Sequence, residues 1–127
     1  MKIRKLHFGQ FQIYPNIMIG EIFEGIHFNQ LHNDVVWDLA LSEYGTDREF
    51  GYISNRTQTY SIDPMVHYKN RGFSNLKCMA IVEPNGVKPS TIGIESKFFN
   101  KDGLQAFCNI KDAMAWVTTV LQKSKGL

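Results

Sequence analysis

Apolar and polar residues alternate in short runs over the first third of the chain: Ile3, Leu6 and Phe8, then Phe11 and Ile13, then Ile17, Ile19 and Ile22. The runs break at Gly9-Gln10 and at Tyr14-Pro15-Asn16, which predicts three strands in an antiparallel meander. Gly20 lies inside the third run and predicts a bulge or a close approach to the backbone, because glycine otherwise weakens a strand. After Gly25 the apolar spacing changes from two to about 3.6. Phe28, Leu31, Val35 and Leu39 recur at helical steps, with Asn29 placed to cap a helix and Gly45 to stop it after Tyr44. Trp37, Leu41 and Tyr44 fall on a second side of that helix, so it is expected to touch more than one neighbour.

A strand is expected from Glu49 to Ser54, followed by a polar segment and a short helix with Asp63 as cap and Pro64 at its first position. Leu76 to Val82 is apolar without clean alternation, the pattern of a central strand covered on both faces, and Pro84-Asn85-Gly86 ends it. A helix over 90–99 carries Ile92, Ile94, Phe98 and Phe99, and a turn over 100–103 leads into a strand from Leu104 to Cys108. Asn109 then caps a last helix with Ile110, Ala113, Val117 and Val120 on one face, Asp112 in its first turn and Lys123 and Lys125 at its carboxyl end. The order is three strands, helix, strand, helix, strand, helix, strand, helix. It predicts an α/β domain with a mixed sheet of five to six strands, antiparallel at its opening and parallel afterwards, and four helices.

The 127 residues and 43% hydrophobic content suit a single domain over 1–127, with no linker or repeat to divide it. A net charge of +2 gives no basic footprint for nucleic acid. Apolar runs such as Met79 to Val82 are far shorter than the roughly 20 residues that cross a bilayer. The start, Met1 to Phe8, is basic but lacks the apolar core of a signal peptide, so it reads as a strand. Cys78 and Cys108 have apolar neighbours and no metal-binding spacing, and are expected as buried free thiols of a cytoplasmic protein, with a disulfide between them as the alternative. The sequon Asn55-Arg56-Thr57 then has no glycosylation machinery to meet.

Motifs for chemistry are missing. There is no nucleophile elbow, phosphate-cradling loop or dinucleotide fingerprint. His7, His27, His32 and His67 come from separate elements, and His27 and His32 do not share a helical face, so they read as solvent-facing or hydrogen-bonded residues with no metal and no cofactor implied. The pairs Glu21 and Glu24, and Asp47 and Glu49, read as edge and turn residues. Aromatic residues make up 13% of the chain, and Phe28, Phe50, Phe98, Phe99 and Trp116 are expected in the core. Some of them could instead line an apolar pocket between helices and sheet.

The segment from Ser54 to Asp63 stands out. It gathers Ser54, Asn55, Arg56, Thr57, Gln58, Thr59, Tyr60 and Ser61 after a buried strand and before a helix start, and ligands of open α/β sheets bind at the carboxyl ends of strands. The alternative is a polar connection whose side chains cap its own backbone.

Phe50-Gly51-Tyr52-Ile53-Ser54-Asn55-Arg56, Tyr60-Ser61-Ile62-Asp63-Pro64, Ala80-Ile81-Val82, Glu95-Ser96-Lys97-Phe98-Phe99, Phe107 and Ala113-Met114-Ala115-Trp116-Val117 together carry a resemblance. The chain resembles the small stand-alone STAS-like proteins of bacteria, related to the anti-sigma-factor antagonist of sporulation and to the CRAL-TRIO lipid-carrier domain. The resemblance implies helices packed mainly on one face of the mixed sheet. It also implies a Ser or Thr, at the start of the helix after the central strand, that a partner kinase phosphorylates and binds. The matching stretch is Ser61-Ile62-Asp63-Pro64, without the family's usual Asp-Ser-Ser/Thr-Gly pattern. Ser61 is the nearest candidate, with Ser54, Thr57 and Thr59 behind it, and Arg56 would offset part of the phosphate charge.

Two functions are expected from these readings. One is a non-enzymatic regulatory module that presents residues 54–63 to a protein partner. The other is a carrier of a small apolar or lipid ligand. Ile- and Phe-rich edge strands leave a homodimer open.

Overall fold

In the computed structural model, which describes residues 1–84, 95, 96, 99 and 103–125, the alternating runs form β1 (Lys2–Leu6), β2 (Gly9–Ile13) and β3 (Ile17–Ile22). They pair as an antiparallel meander. The first turn falls at His7-Phe8 rather than at Gly9-Gln10, and Gly9 opens β2 opposite Ile22. Phe8 is fully buried in that turn, with its ring edge-on to Phe11 and Phe28, so core packing places it there. Gly9 answers to pairing, since a Cβ there would lie 2.9 Å from the Glu21 carbonyl.

The remaining elements are β4 (His27–Phe28), α1 (Gln30–Tyr44), β5 (Phe50–Asn55), β6 (Ser61–Ile62), α2 (Met65–Asn70), β7 (Leu76–Val82), β8 (Leu104–Phe107) and α3 (Ile110–Lys125). The main sheet is mixed and has six strands in the order β1-β2-β3-β5-β7-β8, with parallel pairing from β3 onward. β4 and β6 form a separate two-stranded parallel pair. Two-residue strands carry no periodicity, and the sequence pattern does not reveal them.

Three helices lie among the described residues, against the four expected. Of the helix expected over 90–99, Glu95, Ser96 and Phe99 are helical. Its other positions, Ile92, Ile94 and Phe98 among them, lie outside the described residues, as do residues 85, 86 and 100–102 of the expected turns.

Asn29 caps α1 as expected. Its side chain accepts from the Leu31 and His32 amides at 3.0 and 3.3 Å, and the Asn29 amide donates back to His32 Nδ1 at 3.2 Å. This is a capping box with histidine in the usual glutamate position. Gly45 ends the helix at φ +65, in the left-handed region where a side chain is strained. The buried stripe of α1 differs from the expected one. It is Asn33, Val36, Ala40 and Tyr44, whereas Leu31 and Val35 are 75% and 40% exposed. Apolar residues occur on every side of α1, so spacing alone does not choose its inner face. Tyr44 decides the matter at the carboxyl end. Its ring stacks on Phe50 at 4.4 Å, and its hydroxyl donates to the Tyr14 carbonyl at 2.7 Å with that of Ile17 at 3.0 Å.

α1 and α2 pack on one face of the sheet, over Phe11, Met18, Phe50, Leu76 and Met79. The expectation of helices mainly on one face needs correction for α3, which covers the opposite face with Ala113, Val117 and Leu121 against Ile17, Ile19, Ile53, Cys78, Ala80 and Val82. Alternating strand residues thus serve two cores, as a central strand covered on both faces requires. Cys78 is buried as expected, and burial pushes its thiol up to about 12. Cys108 is also free but exposed, at the end of β8, where the sheet edge offers less cover.

Gly20 is the close approach that its place in a strand predicts. A Cβ there would fall on the Tyr52 hydroxyl and lie 2.9 Å from the Phe11 ring. Gly20→Ala is therefore expected to lower stability by about 1 to 3 kcal/mol through overpacking, read as a reduced urea midpoint with an unchanged slope. An unchanged midpoint would show that Tyr52 can move aside without cost.

Candidate functional site

β5 continues past its last residue by one bond, in which the Arg56 amide donates to the Val82 carbonyl at 2.8 Å. That bond holds Arg56 at the carboxyl ends of the parallel strands and turns its guanidinium inward. Nη1 and Nη2 donate to Glu95 Oε2 and Oε1 at 2.8 and 2.6 Å, the bidentate fork that suits a carboxylate. Nε donates to Ser54 Oγ at 3.2 Å, and Glu83 stands 3.6 Å from Nη1. Ser54 Oγ shares a hydrogen bond of 3.2 Å with the Tyr60 hydroxyl.

α2 brings the third member. Asp63 accepts from the Met65 amide at 3.0 Å, so it caps the helix from one residue further out than expected, with Pro64 rather than Asp63 at the boundary. One turn later His67, 2% exposed, places Nε2 at 2.6 Å from Glu95 Oε1. Burial works to raise the Glu95 pKa, but the bonds from Arg56 and His67 outweigh it and hold the carboxyl at about 2. Burial likewise opposes the Arg56 charge, and the paired Glu95 carboxylate more than restores it, leaving the guanidinium pKa raised. Burial pushes the neighbouring Tyr52 hydroxyl up. The result is a carboxylate with both oxygens occupied and an arginine with no free edge.

This cluster closes one end of a cleft between the sheet and the two helices. Its walls are apolar, from Met18, Val36, Ala40, Phe50, Phe73 and Met79, and Ser54, Arg56, Tyr60 and His67 line it as well. A second polar set lies on the α1–α2 side, where Asn70 Oδ1 accepts from Asn33 Nδ2 at 2.8 Å and from Trp37 Nε1 at 2.5 Å. The cleft is partly open and leaves about 50 Å³ free, room for a few waters or a small organic group.

The structure divides the residues picked out by sequence. Ser54, Arg56 and Tyr60 come together at the cleft. Asn55 faces the opposite side of the sheet, where it lines a polar recess of about 240 Å³ with Gln10, Gln12, Ile19, Glu21 and Ile110. Thr57 and Thr59 are exposed; the Thr57 hydroxyl donates to Glu21, and the Thr59 carbonyl accepts from the Gly25 amide at 2.9 Å. Ser61 is an exposed β6 residue before α2, with its hydroxyl 2.7 Å from His27 Nδ1, and Asp63 is a cap. Glu95, Asn33, Asn70 and the buried role of His67 were missed. Their one signal is polar side chains on otherwise inward-facing helical stripes, as in Val66, His67 and Asn70 of α2.

No protein-family model, curated protein or solved structure matches the chain. Among the described residues no group of three or more His, Cys, Asp or Glu could hold a metal ion, and no helix is long and apolar enough to cross a membrane.

Arg56→Ala leaves Glu95 buried without its partner and is expected to cost about 3 to 5 kcal/mol in stability. The pH dependence has a definite sign. An ordinary glutamate pKa of 4.5 falls to about 2 in the folded state, so the stabilisation is complete above pH 4.5 and is lost as pH falls toward 2. It amounts to something on the order of 3 kcal/mol. Chemical denaturation of wild type and Glu95→Gln across that interval should give curves that converge at the acid end. Parallel curves would remove Glu95 as the source.

Proposed function

We propose that the chain is a non-enzymatic binding module for a small, mainly apolar molecule held in the cleft between the sheet and α1 and α2. The observation that carries this reading is the cleft itself, partly open, apolar along most of its walls, and lined also by two sets of polar groups, Ser54, Arg56, Tyr60 and His67 in one and Asn33, Trp37 and Asn70 in the other. Natural ligand sites combine an apolar lining with a few placed polar groups in this way. The free volume of about 50 Å³ is well below that of drug-sized pockets, so the occupant is small and an acyl chain is a poor fit.

The competing reading, residues 54–63 offered to a protein partner, draws support from the exposed outer edge of Thr57, Gln58, Thr59 and Ser61. It loses Arg56 as a contact, because the side chain is 10% exposed and fully engaged. The same holds for a phosphate on Ser61, which would not find a free guanidinium there. We also propose a STAS-like architecture, supported by the element order and by the antiparallel opening of a mixed sheet.

Titration of isotope-labelled protein with cyclopentane should shift the amide signals of Val36, Ala40 and Phe73 before those of Thr118 and Thr119 on the exposed side of α3. Ala40→Leu fills the cleft and is expected to abolish these shifts while leaving the α3 signals as in wild type. Shifts that spread over the surface, or that survive the substitution, would refute the cleft as the binding site.

A further inference from the structure

Every polar atom of the Arg56–Glu95–His67 cluster described above is engaged except one. His67 Nδ1 is buried and has no hydrogen-bond partner among the described residues, where buried side-chain nitrogens and oxygens are otherwise satisfied. The residue lines the cleft, and its other ring nitrogen is committed to Glu95 at 2.6 Å. An ionised carboxylate accepts and cannot donate, so the Glu95 bond requires the proton on Nε2. In the neutral ring this leaves Nδ1 as a lone pair with nothing to accept from. Phe99 packs edge-on to the ring at 6.4 Å, which together with Glu95 restricts its rotation.

We infer that His67 Nδ1 is the hydrogen-bond acceptor for the ligand, and that the ligand is a small neutral molecule with an apolar body and one hydroxyl or N–H donor. The inference rests on the cleft reading and adds the polar half of the ligand to it. Charge argues for neutrality. Arg56 and Glu95 cancel, and Glu83 near Nη1 discourages an anion. Glu95 acts here as a positioning residue, since it sets the tautomer without reaching the cleft's occupant. Buried donors and acceptors left unmatched cost more than matched ones return, so a ligand without a donor is penalised at this atom.

The test compares two isomers of one formula, 1-butanol and methyl propyl ether, which differ in having or lacking a donor. By amide shift titration, the alcohol is expected to bind wild type about tenfold more tightly than the ether. His67→Phe keeps an aromatic ring against Phe99 and removes the acceptor, and should bring the two affinities together. Equal affinities for wild type would overturn the inference while leaving the cleft reading in place, with water serving Nδ1 in the free protein. Binding of neither probe, nor of cyclopentane, would overturn both. Nitrogen NMR of the His67 ring in wild type gives a check that needs no variant. A proton on Nε2 and a bare Nδ1 that shifts on addition of 1-butanol are expected, and a proton on Nδ1 would overturn the inference.

Discussion

A buried arginine and a buried glutamate cannot be separated in this protein without leaving a charge in an apolar interior, and much of the architecture follows from keeping them together. Glu95 accepts from both terminal nitrogens of Arg56 and from His67, so the end of β5, the first turn of α2 and the helical residue at 95 meet at one carboxylate. Such a pair is seldom a net gain over well-packed apolar side chains, whereas losing one partner is severe. Its effect is on arrangement: Glu95, which lies between β7 and β8 in sequence, has to meet the end of β5 and the first turn of α2 where the cluster closes the cleft. The same saturation limits chemistry. Both Glu95 oxygens accept hydrogen bonds and its pKa is depressed, so it is not poised as a proton donor near neutrality.

The second polar set obeys the same rule by other means. Asn33 and Asn70 are 3% and 7% exposed and sit on the inner stripes of two different helices, each of which would otherwise be apolar at that point. Asn33 Nδ2 donates to Asn70 Oδ1, and Trp37 Nε1 donates to the same oxygen. The bond docks α1 against α2 directly, and it explains why the inner face of α1 begins at Asn33 while Leu31 and Val35 point outward.

Legibility in the sequence follows this division between local and non-local causes. The meander, the Asn29 and Asn109 caps, the stop at Gly45 and the α/β order rest on alternation, capping chemistry and glycine, all of which act within a few residues. Gly20 was readable for the same reason, although Tyr52 as its neighbour was not. The face of α1 was misjudged because its apolar residues encircle it. Within the candidate site, Ser54, Arg56 and Tyr60 were found from the density of polar residues after a buried strand. Glu95 was not, since a carboxylate 39 positions from its arginine leaves no mark on local spacing.

The strand order explains where the cleft had to lie. Parallel sheets bind ligands at a crevice where the order of strands reverses, because neighbouring crossovers then leave in opposite directions. Here β3, β5, β7 and β8 advance in one direction, and no such reversal opens a gap at their carboxyl ends. Successive crossovers of one hand running in one direction deposit their helices on one face; α1 and α2 lie together in this way, and α3 covers the other face. The cleft therefore arises between the helices and the sheet, and Ser54, Arg56 and Tyr60 of the carboxyl-end segment form part of its wall. Arg56 belongs to that wall. His67 reaches the same cleft from the helix side, and its Nδ1 is the buried side-chain atom without a hydrogen-bond partner among the described residues.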